Sequence, residues 1–507
     1  MLAEMYYLVT FLAGFCIMVL ELVAARVLAP YLGTSLTVWT AVIGVVMVCL
    51  ALGYWLGGRA ADAFPEKARV QRILGLSAGW IAVSLVLQVL VLPIFAQTRS
   101  PLALQAVGLA LLLFGPSSTL LAMISPYCLR MSVASVQDSG RVSGRVSAAG
   151  TAGSLVGTFL TGFVLLEVLG SDAIQLVVGI LLVVLSVFLA PRKAILLHVL
   201  VATLLAGAYW VHLVATRVDA ARGIISLQTP YSSIKVMNWT DPKSGRAIKS
   251  MVLGGVVHAS VFTDTAQAEE LVHPYTRSYR LASDLAPLPG RVLMLGGAAY
   301  TVPRDILKRE PQALVEVAEI DPSMPKIAKE YFGLGDSPRL VNHEIDGRRF
   351  LESTPAASFD WILGDAFGSY FSVPFELTTV QAHAAIAKAL RPGGLYVANM
   401  IGTLEGTGSD WIHDLGCSAA RGFGNSVTVA LVPMEPTTPA KLQNITVIIR
   451  KDGSYFPDLV LNQEDEMRNL WAQRRTLTSP SDCKNAQLLT DDFAPTERYM
   501  QEFMHVE

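Results

Sequence analysis

Arg291-Val292-Leu293-Met294-Leu295-Gly296-Gly297 reads as a buried strand closed by two glycines, and a second strand, 313–319, ends at Glu319-Ile320-Asp321. Glycines at such a turn let a ligand approach the backbone, and an acid at the end of the next strand can take ribose hydroxyls. Outward from this stretch the alternation continues. It predicts helix 301–309, helix 323–331, strand 338–342, helix 347–353, strand 359–364, helix 378–390 and strand 394–400. That spacing is a parallel, doubly wound sheet whose ligands bind at the strand C-termini. Upstream, Ser233–Met237 and Lys249–Leu253 flank the turn-rich Asp241-Pro242-Lys243-Ser244-Gly245, a β-hairpin. Segment 266–285 has helical character.

The other half of the chain is of a different kind. The 507 residues are 52% hydrophobic and 16% charged, against about a quarter charged in soluble domains. The apolar excess is concentrated before residue 217. Runs 5–29, 36–58, 73–95, 102–124, 147–169, 172–190 and 194–214 are each long enough to cross a bilayer, so seven spans are expected. The first holds Glu21 and Arg26, which argues against a cleaved signal peptide. Two domains follow, a helical membrane bundle at 1–216 and an α/β domain at 217–507, with 217–222 as a linker. The partners expected are a lipid bilayer and a small nucleoside. A net charge of −2 gives no nucleic-acid footprint, and no C-x-x-C or His cluster suggests a metal.

Sidedness is contradictory. Basic residues gather in loops 59–72 and 130–145 and at Arg192-Lys193, which share one side in a seven-span arrangement and mark it as cytoplasmic. The α/β domain would then face outward, whereas a pocket for an intracellular nucleotide metabolite belongs in the cytoplasm, the side expected here. Pro116 and Pro126 offer a way out if the fourth span breaks or re-enters. Cys417 and Cys483 are a disulfide if the domain is external and two thiols if not.

Within the bundle, Gly58-Arg59-Ala60-Ala61-Asp62 resembles the loop motif of major-facilitator transporters, but a tight helix turn with ordinary capping is the preferred account of it. Gly150, Gly153, Gly157 and Gly162 form a small-residue packing face. Glu21 and Arg26 lie about 140° apart on a helix and are not expected to pair; a carboxylate at that depth points to a cavity.

The candidate site is Gly296, Gly297, Glu319, Asp321, Asp346, Gly347 and Asp365. Glu319 is placed for the ribose, Asp346-Gly347 for an adenine amine, and Asp365 for the reactive end. Set together, Pro230–Ile234, Leu253–His258, Val292–Gly297, Glu319–Asp321, Asp346–Phe350, Phe359–Asp365 and Leu390–Gly394 resemble the S-adenosylmethionine-type methyltransferase fold and, more closely, spermidine synthase and its aminopropyltransferase relatives. The membrane half and the tail Leu489–Pro495 look like the membrane-fused spermidine-synthase-like proteins of bacteria.

The resemblance implies S-adenosylmethionine or its decarboxylated form as substrate, no metal, and an inner-membrane protein. The resembling synthases commonly form homodimers. It also implies roles: Glu319 on the ribose, Asp346 on the adenine, Asp365 as base on an attacking amine, and Tyr275 near the position of the family's active-site tyrosine. Departures lie at the acceptor end. The synthases' Gly-Asp-Gly, whose Asp holds the aminopropyl ammonium, is Ala298-Ala299-Tyr300 here. Their Asp-Gly and Gln in the hairpin region are Gly254-Gly255 and His258, and their polyamine-holding Asp is Gly368. A cationic polyamine needs paired carboxylates, and most are missing. The expected chemistry is therefore C–S cleavage releasing methylthioadenosine, with Tyr300 and Tyr370 as further positioners. Altered aminopropyl transfer is the other form of this reading; a nucleoside sensor or transporter, a true spermidine synthase and a methyltransferase are the alternatives. Asp491 or Asp492 is expected either to replace a lost carboxylate or to lie in a solvated turn.

Overall fold

The computed structural model describes residues 2–95, 100–189, 195–264, 270–366, 374–424, 427–452, 456, 458–459, 465–478 and 481–503. The chain divides into two compact units, Met1–Arg222 and Gly223–Glu507.

The first unit is helical: α1 (Leu2–Leu32), α2 (Leu36–Ala63), α3 (Lys67–Phe95), α4 (Leu102–Ala122), α5 (Ile124–Ser132), α6 (Ser139–Leu160), a π-helical turn (Thr161–Leu165), α7 (Leu166–Val168), α8 (Ser171–Leu189) and α9 (Ile195–Ala221). Among the described residues, seven helical spans are long and apolar enough to cross a membrane: Glu4–Leu32, Leu36–Ala63, Lys67–Phe95, Leu102–Ser132, Val136–Val168, Ser171–Leu189 and Ile195–Ala221. Leu36, Phe163, Phe188 and Leu196 are exposed on their outer faces, a surface suited to lipid. Pro116 does not interrupt the fourth span; α4 passes through it and ends at Ala122, one residue before α5. The expected linker 217–222 is for the most part the last turn of α9, since no Gly or Pro stops the helix before Gly223.

Glycines set how closely the helices approach. A Cβ at Gly153 would sit 1.9 Å from the Phe11 carbonyl oxygen, and one at Gly157 2.6 Å from that of Phe15. Gly150 and Gly14 oppose each other in the same seam between α1 and α6. Gly162 has open space around it and does not belong to that face. Gly53 and Gly57 press α2 on Thr119 and Met123. Asp62 forms an exposed ion pair with Arg130 at 3.4 Å.

The second unit begins with an antiparallel sheet, β1 (Ile224–Gln228), β2 (Ser233–Thr240), β3 (Ala247–Leu253) and β4 (Val256–Phe262), in that order. The expected hairpin is its centre, with Ile234 opposite Leu253 and Trp239 opposite Ile248. Over its described residues, 270–285, the segment expected to be helical is not one helix. Leu271 bridges to Val261, and α10 (Pro274–Ser278) and α11 (Leu281–Leu285) follow. Pro274 has no amide to donate and so stands in the first turn of a helix rather than inside one.

The main sheet then builds through β5 (Arg291–Leu295), α12 (Thr301–Arg309), β6 (Leu314–Glu319), α13 (Met324–Phe332), β7 (Leu340–Glu344), α14 (Gly347–Ser353), β8 (Phe359–Gly364), α15 (Val380–Ala389) and β9 (Leu390–Gly402). After them come α16 (Ser409–Phe423), β10 (Thr428–Pro433), β11 (Gln443–Arg450), α17 (Glu466–Ala472), β12 (Arg475–Thr478) and α18 (Thr496–Phe503). The spatial order is β12-β10-β11-β9-β8-β5-β6-β7, with β9 to β7 parallel and β11 antiparallel to both of its neighbours. The sheet is covered on both faces, by one core that includes Met294, Val317, Trp361 and Val397 and another that includes Leu293, Ile362, Tyr396 and Trp411. This is a methyltransferase-type Rossmann-like domain. The chain runs outward from β5 to β7 and returns to β8, so the switch point lies between β5 and β8.

Candidate active site

The glycine turn occupies that switch point. Gly296 donates its amide to the Ala318 carbonyl at 3.0 Å, and the Asp365 amide donates to the Leu295 carbonyl at 3.0 Å. A Cβ at Gly296 would lie 2.7 Å from the Asp365 carbonyl oxygen, so only glycine allows the ends of β5 and β8 to close here. Gly296 has φ 84°, and Ala298 (φ 44°) and Tyr300 (φ 57°) are left-handed too, although neither is a glycine. The turn thus holds a shape that its side chains do not favour.

Tyr300 is fully buried and its ring lies over Gly297, where a Cβ would meet it at 2.7 Å. Its hydroxyl is buried with no hydrogen-bond partner, and burial together with Glu319 and Glu344 pushes its pKa up. Tyr300 thus packs under the turn; nothing sets its hydroxyl as a positioner.

Glu319 ends β6 against the same turn. Its Oε2 accepts the Gly297 amide at 2.8 Å and its Oε1 the Asp321 amide at 2.9 Å. Burial raises its pKa, and those two amides draw it back down. Each carboxylate oxygen retains acceptor capacity beyond one amide, which suits a pair of vicinal hydroxyls. Asp321 has another role. Its Oδ2 accepts the Thr229 hydroxyl at 2.5 Å and its Oδ1 the Ser323 amide at 2.9 Å, and the Thr229 oxygen in turn accepts the Tyr231 and Ser232 amides. It clamps the loop between β1 and β2 and is 1% exposed. Asp346, half-buried after β7, caps α14 through the Arg349 amide at 3.0 Å. Gly347 packs on Leu295.

Asp365 follows β8. The residue keeps some solvent exposure, yet its carboxyl is packed round closely enough that lost hydration pushes its pKa up to about 7. Asn399, in the middle of β9, opposes the shift by donating Nδ2 to Oδ1 at 3.2 Å. The Oδ1 of Asn399 is buried and unpartnered. Tyr279 completes the cluster: its hydroxyl donates to the Gly364 carbonyl at 2.6 Å and accepts the Asn399 amide at 3.2 Å. Burial and then Asp365 and Tyr275 raise its pKa. Tyr275 itself is buried, with its hydroxyl given to the His258 carbonyl at 2.6 Å. The His258 ring, held neutral by burial at a pKa of about 4, leaves Nε2 unpartnered.

Sequence reasoning missed Asn399 and Tyr279. The signal for Asn399 was an amide inside an otherwise apolar strand, Leu395-Tyr396-Val397-Ala398-Asn399-Met400. Gly368 and Tyr370 lie outside the described residues. Asp491 supplies no spare carboxylate: it pairs with Arg348 at 2.7 Å and accepts the Thr379 hydroxyl at 2.6 Å, fastening the tail to α14 and α15. Asp492 is exposed.

No family model matches the chain. Its C-terminal part is homologous to spermidine synthases and polyamine aminopropyltransferases. It is 28% identical over 201 residues to the spermidine synthase of Coffea arabica, covering 38% of this chain and 58% of that protein. It is 24% identical over 236 residues to the polyamine aminopropyltransferase of Vibrio vulnificus (strain CMCP6), covering 45% of this chain and 76% of that protein. A probable spermidine synthase from Corynebacterium glutamicum ATCC 13032 aligns with TM-score 0.42 and 19% identity over 53% of this chain and 97% of that one. The chain spans about half the length of the first curated relatives it matches.

Proposed function

We propose that the second unit binds S-adenosylmethionine or its decarboxylated form and cleaves a C–S bond, releasing methylthioadenosine. The observation that carries this reading is Asp365, a carboxyl poised near neutrality at the switch point, beside the glycine turn that Glu319 holds. Glu319 would take the ribose and Asp346 the adenine. A general base works best when its pKa lies near the working pH. A nucleophile's lone pair attacks the carbon next to the sulfonium, and the C–S electrons pass to sulfur, which leaves as a neutral thioether. With an amine as nucleophile, Asp365 accepts the proton that the new C–N bond expels.

Ala299 stands where the relatives' aminopropyl-holding Asp would be, and this supports ordinary S-adenosylmethionine, whose carboxylate an acid would repel. That carboxylate can itself attack, closing a lactone and freeing the same thioether without external acceptor.

The test is to incubate the purified full chain with each nucleoside, with and without putrescine, and to follow methylthioadenosine. Release of methylthioadenosine is expected: release without putrescine identifies the lactone route, and release only with putrescine identifies aminopropyl transfer. Asp365→Asn should abolish the amine-dependent release while binding persists. Tight binding of both nucleosides with no release from either would overturn the reading in favour of a sensor.

The side of the membrane belongs to the proposal, with a bacterial inner membrane as the setting. Cys417 and Cys483 are bonded in the structure. That pairing, the odd number of spans and the basic loops together support the outer, oxidising side rather than the cytoplasmic side first expected. The nucleoside must then be supplied across the membrane.

A further inference from the structure

The helical unit holds a partly open cavity of about 570 Å³ between α1, α2, α4, α5 and α6. Seven hydroxyl residues line it, Thr10, Tyr54, Ser125, Ser143, Ser147, Thr151 and Ser154, among apolar side chains such as Ile17, Met18, Leu50 and Leu121. No charged side chain does. The volume is that of a small-molecule site.

Beyond its lining, further along three of the same helices, lie three buried polar atoms without partners: Glu21 Oε2, Ser118 Oγ and Thr161 Oγ1. The residues are 7%, 1% and 0% exposed. Helical spacing puts each on the lining face of its own helix. Glu21 is one turn beyond Ile17 and Met18 on α1, Ser118 one turn before Leu121 and Ala122 on α4, and Thr161 two turns beyond Ser154 of α6.

The helix directions bring the three to the same level. Phe11 and Phe15 of α1 meet Gly153 and Gly157 of α6 in step, so these helices run parallel. Thr10 meets Cys128 while Met18 and Leu121 share the cavity wall, so α4 and α5 run the other way. Moving up α1 and α6 and down α4 therefore leads to Glu21, Thr161 and Ser118 together. The π-helical turn begins at Thr161 and touches α1; such turns often mark functional positions.

We infer that the region beyond the lining is a site for a primary ammonium group, with Glu21 as counter-ion and Ser118 and Thr161 as acceptors, and that the cavity takes the uncharged remainder of a small organic amine. A buried carboxylate oxygen without a partner is costly in an apolar bundle unless a cation completes it. An ammonium has three N–H donors and no acceptor, which matches three unpartnered acceptors of which one carries charge.

The test uses the full chain in detergent with n-butylamine as probe and n-butanol as its neutral counterpart. Equilibrium dialysis should show saturable n-butylamine binding, weakened roughly tenfold or more in Glu21→Gln, the loss expected for a hydrogen bond to a charged group. Asp365→Asn should bind it as the parent does, which separates this site from an amine acceptor in the second unit. If Glu21→Gln fails to fold, labelling of Glu21 by dicyclohexylcarbodiimide in the unaltered protein decides. There n-butylamine should protect and n-butanol should not. Absent saturable binding, unchanged binding in Glu21→Gln, or equal protection by n-butanol would overturn the inference.

Discussion

Asp365 holds its proton up to about pH 7, whereas an unfolded chain releases it near the ordinary value of 3.8. Between those values the native protein binds more protons than the unfolded chain, so raising the pH through that window removes stability. The same ionisation creates the base. Amine-dependent methylthioadenosine release should therefore climb through pH 7 and level off above it. Asn399 donates to the ionised carboxyl and favours it, so Asn399→Ala should move the midpoint upward, by up to about one unit. A profile that stays in place would mean that Asn399 does not position the base. Ala298 is the second residue to test. Its left-handed backbone costs an L-residue about 1 kcal/mol that glycine does not incur. Ala298→Gly should accordingly raise the melting temperature; a clear fall would show that the methyl group packs usefully.

At the scale of elements, the seam between α1 and α6 depends on absent side chains. Gly153→Ala would drive a methyl group into the Phe11 carbonyl, which backbone cannot yield without parting the helices, and several kcal/mol should be lost. Gly162→Ala meets open space and should be silent. Comparing the two for yield of monodisperse protein in detergent and for melting temperature checks the packing directly; equal behaviour would refute the seam. In the second unit, the element that positions chemistry is the paired end of β5 and β8. Gly296 allows it to close, and Glu319 braces the turn from β6. Asp321 serves the same end indirectly, by tying the β1–β2 loop to the sheet through Thr229.

For the whole molecule, the bond between Cys417 and Cys483 closes a sequence separation of 66 residues and contributes about 4 kcal/mol by loop entropy. Intact cells should yield protein in which neither thiol reacts with a maleimide until a reductant is added, and an external protease should reach the second unit. Free thiols and protection from the protease would place that unit in the cytoplasm. The sequence by itself determined the seven apolar spans, because length and composition suffice for lipid. It also determined the strand-helix alternation from 291 to 400, because periodicity is local, and with it the place of Glu319, Asp346 and Asp365 at strand ends. Only the tertiary structure decided that Asp321 is a clamp, that Asn399 and Tyr279 join Asp365, that Pro274 starts a new helix after a bridge, and that β11 enters the sheet reversed. It alone left Glu21, Ser118 and Thr161 each with a buried, unpartnered oxygen. These outcomes rest on which side chains from distant segments share one dry space, and no local pattern records that.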